Sequence, residues 1–400
     1  MESKSLDIRY ACIHGFYWMI CCAMIGYASV FLLDRGFGNT TIGIVLSISN
    51  ILAVFGQPAI ASYMDKTTKL SLRMLISIIL VAIIVLSLIL SFISGASIVM
   101  VVLTITVFTL MLVLQPFINS LTFAFEKNGI HINFGLARGI GSVAYAVMSL
   151  ILGNVVAIFS PELLPYFYVG LSLCALLFVY TFYLPGGKDE IVHEEKQEEH
   201  DQLSMGQFIK KYKTFMFLLV ATVFLFFDHS IINNFFIQVV NHINGNSADM
   251  GNAIFLAALL ELPTMALFTK LQKKVGCRRM MIISAVFFSV KHVLTYFAVN
   301  MMMIYIAQVM QMLAYAVFIP ASVYYVRQLV DAHDMNKGQA LVTGAMTLAS
   351  VFASLAGGVL LDALGVSKVL LIGAIISVIG TVFMFFSVED VDHKEEIAEE

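Results

Sequence analysis

An all-α polytopic membrane protein is the fold class this sequence predicts, and three observations predict it. Hydrophobic residues make up 60% of the 400 positions, charged residues 12%, and the mean hydropathy is +0.91. A soluble domain carries about 25% charged residues. Apolar runs longer than about 18 residues recur along the whole chain, which excludes a large soluble core. Their length and lack of period-two alternation exclude a membrane β-barrel, whose strands are about 10 residues long. Finally, Lys and Arg are distributed with a strong sidedness, as expected of a helical membrane protein.

The apolar runs give about twelve spans, at 8–33, 40–63, 72–94, 98–124, 137–159, 163–184, 214–240, 250–270, 280–299, 302–326, 338–361 and 367–387. The first follows a charged Met1–Arg9 segment without a small-residue cleavage site, so it is expected to be retained. Six spans precede a polar break and six follow it. The expected organisation is an N-terminal six-helix bundle (1–186), a cytoplasmic linker (187–213), a C-terminal six-helix bundle (214–388) and an acidic tail (389–400). The linker holds a dense mixed-charge run with His193 and His200, read as solvated chain carrying an amphipathic turn before the seventh span. With both termini placed inside, every basic residue except Arg35, Lys368, Arg138 and Lys291 falls in an inner segment. The five cysteines form no CxxC or Cys/His cluster and read as buried apolar thiols. No cofactor and no metal site is expected.

Four charges lie inside apolar runs: Arg138, Asp228, Glu261 and Lys291. An ionised group at bilayer depth costs several kcal/mol unless paired or hydrated, and so marks a site or pathway. If the fifth span begins near Gly129, Arg138 stands roughly 13 Å along it, about midway through the hydrocarbon. Its guanidinium presents five donors in a fixed fork, suited to hydroxyl or carboxylate partners. Tyr145, two turns on, shares its face and offers a ring for stacking. Glu261 and Lys291 stand about 11 residues from their span entrances and are expected to form a salt bridge. Asp228 lies along span seven, followed by Asn233, Asn234 and Gln238. His292 projects about 100° from Lys291 on a helix and need not share a cavity with it. Gln115, Asn119 and Gln311 add neutral donors and acceptors, in the roles of cavity lining or interhelical glue. Of the first-span aromatics Tyr17, Trp18 and Tyr27, Tyr27 is the preferred cavity residue.

Both halves place a basic inner loop after their second span, at 61–74 and 267–280. Such paired halves are expected of transporters that rock around a midplane site. Ala61-Ser62-Tyr63-Met64-Asp65-Lys66 resembles the G-x-x-x-D-[RK] signature of the major facilitator superfamily, with alanine in place of glycine. The resemblance implies a gating role for Asp65. Within the superfamily the chain resembles the lactose permease (oligosaccharide–proton symporter) branch. Phe134-Gly135-Leu136-Ala137-Arg138 is similar to its F-G-R-A-R, whose last arginine contacts sugar, and Tyr145 falls where that branch stacks a tryptophan on sugar. Glu261-Leu262 resembles its sugar-binding acidic residue in span eight. Ser289-Val290-Lys291 resembles S-V-R, with lysine for arginine, and Gly26-Tyr27 resembles G-A-Y. The proton-coupling pattern H-M-F-E reads here as Gln311-Met312-Leu313-Ala314, without either titratable group, and the branch's span-four acidic partner is replaced near Thr122.

The resemblance implies a secondary transporter of a hydroxyl-rich solute, a sugar or oligosaccharide, moved by alternating access with a co-transported proton. Arg138, Tyr145, Glu261, Asn234, Asn119, Gln115, Tyr27 and Gln311 are the expected substrate-binding residues, with Arg138 and Tyr145 facing the second-half residues across a central cavity. Glu261, Asp228 and Lys291 are the expected proton-coupling and charge-pair residues. Nucleoside transport, efflux of amphiphilic compounds and ligand sensing without transport are the alternatives. An enzyme is not expected, because HExxH, GxSxG and phosphate-cradling glycine loops are absent from the sequence. The expected partners are the solute, a proton and membrane lipid, with no nucleic acid. The expected state is a monomer in the cell (inner) membrane.

Overall fold

The computed structural model describes residues 2–67, 70–122, 125, 130–183 and 203–389. Among the described residues every regular element is helical. The long elements are α1 (Glu2–Cys21), α2 (Ala28–Asp34), α3 (Asn39–Lys66), α4 (Leu72–Phe92), α5 (Ile98–Ser120), α6 (Phe134–Ile158) and α7 (Leu164–Thr181). They continue with α8 (Met205–Lys211), α9 (Lys213–Asn234), α10 (Phe236–His242), α11 (Ser247–Val275) and α12 (Cys277–Tyr296). The last four are α13 (Met301–Val309), α14 (Tyr315–Leu329), α15 (Met335–Leu364) and α16 (Val366–Ser387). Among the described residues eleven helical segments are long and apolar enough to cross a membrane. The run expected at 280–299 is α12, a further 20-residue helix that carries Arg278, Arg279 and Lys291.

Three expected spans are broken rather than continuous. A five-residue π turn, Cys22–Gly26, separates α1 from α2. Phe235 separates α9 from α10, and a 3-10 turn at Met310–Met312 separates α13 from α14. Such local changes of helical pitch inside a span free backbone groups and re-aim side chains. Just after the third break the Ser284 hydroxyl donates to the Ala314 carbonyl at 2.7 Å, which also accepts from the Phe318 amide at 3.0 Å.

The chain divides into two compact units, Met1–Glu195 with Asn246–Phe255, and Lys196–Gly245 with Leu256–Glu400. In the first, α1 packs against α6 and α7, α4 against α7 and α5, and α3 against α5. In the second, α9 packs against α15 and α16, and α12 against α14 and α16. Small residues allow this. A Cβ on Gly380 of α16 would stand 2.8 Å from the Phe224 Cβ and 3.1 Å from the Leu225 backbone nitrogen of α9. Phe226, Phe288 and Phe318 interlock beside this contact, with ring centroids 5.0 to 6.1 Å apart.

Of the expected linker, residues 187–202 lie outside the described residues, His193 and His200 included. Its end forms the short helix α8, with a capping box between Ser204 and Gln207. Lys211 pairs with Asp331, and that hydrogen bond raises the pKa of its ammonium. The Leu203 amide donates to Asp334 at 3.1 Å, and the Asp331 amide donates to the Tyr212 hydroxyl at 3.1 Å. These contacts tie α8 to the turn between α14 and α15. None of the five cysteines forms a disulfide; Cys22 and Cys277 are buried and Cys12 and Cys21 half-buried. Cys174 departs from the expected burial, because it lies on the exposed apolar side of α7 beside Phe167 and Leu171.

Candidate functional site

In the first unit the polar centre is built on α6. The Asn133 side chain accepts from the Leu136 amide and caps the helix, so α6 begins at Phe134. Arg138 therefore stands only four residues, or about 6 Å, into the helix. The expected start near Gly129 and the mid-span depth it implied are corrected by this cap. The guanidinium donates to Ser142 at 2.9 Å and lies 4.2 Å from the centre of the Trp18 ring. A cation–aromatic contact of this kind is worth about 0.5–2 kcal/mol. Trp18 also meets the Tyr145 ring edge-on at 6.3 Å. Arg138 and Tyr145 do share a face, and the residue that joins them is Trp18.

Two glycines make room for this trio. A Cβ on Gly141 would stand 2.4 Å from Trp18 Cδ1, and one on Gly26 would stand 2.9 Å from the Tyr145 hydroxyl. Tyr27, the aromatic preferred from sequence, is fully buried and donates to the Ser149 carbonyl at 2.7 Å. The π turn before it carries its ring into the packed interior of the unit. Gln115 and Asn119 are half-buried on α5, and the Asn119 carbonyl accepts from the buried Tyr10 hydroxyl at 3.3 Å. Asp65 falls in the last turn of α3, and its side chain lies outside the described residues.

In the second unit the expected Glu261–Lys291 salt bridge is relayed through Gln311. The Lys291 ammonium donates to Gln311 Oε1 at 2.6 Å, and Gln311 Nε2 donates to Glu261 Oε1 at 3.0 Å. A primary amide is suited to this, since it accepts at one end and donates at the other. Lys291 is fully buried, Gln311 is 7% exposed and Glu261 is half-buried. Gln311 belongs to the 3-10 turn that interrupts its span. Asn234, at the end of α9, donates to the Ser354 hydroxyl at 2.8 Å.

Asp228 and His292 form a second buried group. Their side chains approach at 3.3 Å, between Asp228 Oδ2 and His292 Nδ1, and His292 Nδ1 is 2.7 Å from the Ser377 hydroxyl. His292, set apart from the charged residues by its helical angle, is thereby the partner of Asp228. Ser289 continues the network to Ser377 at 3.2 Å and Thr381 at 2.7 Å. His229 stacks on Tyr315 at 5.4 Å and pairs with Asn233 at 2.9 Å.

Sequence reasoning undervalued Trp18 and His292. Both become informative only through a partner more than 60 positions away. The one local signal was composition, since Trp18 is the single tryptophan and His292 adjoins a charge in an apolar run.

The MFS_1 like family model matches residues 8–372. The chain is 22% identical over 394 residues to the uncharacterized transporter YwbF of Bacillus subtilis (strain 168), covering 95% of this chain and 94% of that one. It is 24% identical over 377 residues to the maltose permease of Geobacillus stearothermophilus, covering 92% of each. Its fold matches a solved mutant of the nucleoside transporter NupG with a TM-score of 0.80 at 14% identity, over 96% of this chain and all of that one.

Proposed function

Because this chain belongs to the MFS_1 like family and is a major facilitator superfamily transporter, we propose that its cargo is a small hydroxyl-rich solute, a sugar or oligosaccharide. Movement is by alternating access, coupled to protons, in a plasma membrane with both termini on the cytoplasmic side. The observation that carries the proposal is the Lys291–Gln311–Glu261 chain. It runs from a fully buried cation to a half-buried carboxylate. A carboxylate held in this way accepts hydrogen bonds from sugar hydroxyls, and charge assistance makes such bonds about twice as strong as neutral ones.

In the first unit Arg138 is proposed to supply donors to hydroxyls, and the Trp18–Tyr145 pair the aromatic surface on which the apolar face of a sugar ring stacks. Asn234, Asn119 and Gln115 are proposed as secondary contacts. Tyr27 is proposed as support rather than contact, because its hydroxyl is committed to Ser149. Asp65 is proposed as a gating residue on its position at the end of α3. The relationship to a maltose permease over nearly the full length of both chains supports a saccharide cargo.

A nucleoside is the second reading, because the Trp18–Tyr145 pair would equally stack a base. Reconstituted protein given an inward-acid or inward-alkaline pH gradient separates the two. Labelled di- and trisaccharides should accumulate with the gradient and be displaced by unlabelled sugar. Accumulation of nucleosides alone, or of neither class, overturns the saccharide reading.

A further inference from the structure

Asp228 is enclosed more completely than any function described above requires. It is 0% exposed, and neither carboxyl oxygen has a hydrogen-bond partner among the described residues. Its neighbours come from two other helices, α12 and α16. His292 Nδ1 on α12 stands 3.3 Å from Oδ2. Gly373 on α16 is so close that a Cβ there would fall 1.8 Å from Oδ1. The Ser377 hydroxyl, one turn further along α16, holds the same imidazole nitrogen at 2.7 Å. His292 is also 0% exposed, and its Nε2 has no partner among the described residues. The charged and titratable side chains around Asp228 are His229 on α9 itself and Lys291 and His292 on α12. From α16 it meets Gly373, while the Ser377 hydroxyl bonds His292 rather than Asp228, and on α15 the Ser354 hydroxyl is committed to Asn234.

A bare carboxylate without hydrogen bonds is among the costliest groups to enclose in an apolar interior. A single proton removes that cost. Carried on the carboxyl it leaves a neutral acid beside a neutral imidazole; carried on the imidazole it leaves an ion pair; in both cases the dyad has no net charge. Loss of the proton leaves one negative charge in the interior, with Lys291 as the cation that feels it. Lys291 interacts electrostatically with both Asp228 and Glu261.

We propose that Asp228 and His292 form a single-proton binding site in the second unit, with Gly373 as the positioning residue that lets the carboxyl seat against α16. The proposal deepens the proton-coupled reading above by naming where the proton rests. It relocates coupling away from Gln311 and Ala314, which cannot titrate. Glu261 then remains the substrate-binding carboxylate, and the two functions communicate through Lys291.

The test is an infrared titration of the carboxylic-acid carbonyl band, on purified full-length protein in nanodiscs, with no substrate present. It therefore stands apart from any result on cargo. A band that titrates with pH should vanish in Asp228→Asn and persist in Glu261→Gln. Its midpoint should move by about one pH unit or more in His292→Gln and in Gly373→Ala. Replacing choline chloride with sodium chloride should leave the midpoint in place. Survival of the band in Asp228→Asn overturns the site, as does an unmoved midpoint in both other variants. A midpoint that follows sodium makes this a metal-cation site and equally overturns the proposal. If Asp228→Asn does not fold, Gly373→Ala alone decides, since it retains every titratable group.

Discussion

At the residue scale, a fully buried charge, Lys291, is held in the interior by an amide. Removing that amide takes the hydrogen-bond acceptor from a fully buried ammonium, at a cost of about 1–3 kcal/mol or more. Gln311→Leu is therefore expected to lower the thermal midpoint of the purified protein clearly, and Gln311→Glu to restore most of it. In the first unit, Trp18 is the only tryptophan, so its emission reports directly on the ground beneath Arg138. Gly141→Ala places a methyl within 2.4 Å of Trp18 Cδ1. It should shift the emission maximum and weaken the binding of any ligand that quenches it in the wild type by about tenfold, or about 1.4 kcal/mol. The stranded charges themselves were legible in sequence, because burial of charge is costly wherever it occurs. Their partners were not: Gln311 as relay, Trp18 under Arg138 and His292 beside Asp228 depend on helix rotation, which one-dimensional periodicity does not supply.

At the scale of elements, spans were legible to within a few residues and their interruptions were not. The π turn at Cys22–Gly26 and the 3-10 turn at Met310–Met312 sit within runs as apolar as their neighbours. No proline or charge marks either turn, so hydropathy reads straight through them. A start of this span near Gly129 is too early, because the Asn133 side chain caps α6 and opens it at Phe134. Helix contacts depend on small residues in the same way. Gly380→Val introduces bulk where α16 meets the backbone of α9. An overpacked contact of this kind costs about 1–3 kcal/mol, and differential scanning of the detergent-solubilised protein should show the loss. A Cβ on Gly344 would meet only open space, so Gly344→Ala should leave the midpoint within error.

At the scale of the molecule, the all-α membrane class followed from composition and from the recurrence of long apolar runs, which act along the whole chain and need no side-chain geometry. Orientation is the corresponding prediction. A single cysteine introduced at Ser204 into a cysteine-free background should react with a membrane-impermeant maleimide in inverted vesicles and not in intact cells. Labelling of intact cells would reverse the topology. The most direct test of the central claim is substrate counterflow in proteoliposomes loaded with unlabelled sugar, comparing wild type with Arg138→Ala and Glu261→Gln. Each variant loses a charge-assisted contact worth about 1.5–3 kcal/mol. Wild type should exchange at least one labelled saccharide, and each variant should exchange it at least about tenfold more slowly. Exchange at wild-type rates by both variants would contradict the assignment of Arg138 and Glu261 to the cargo.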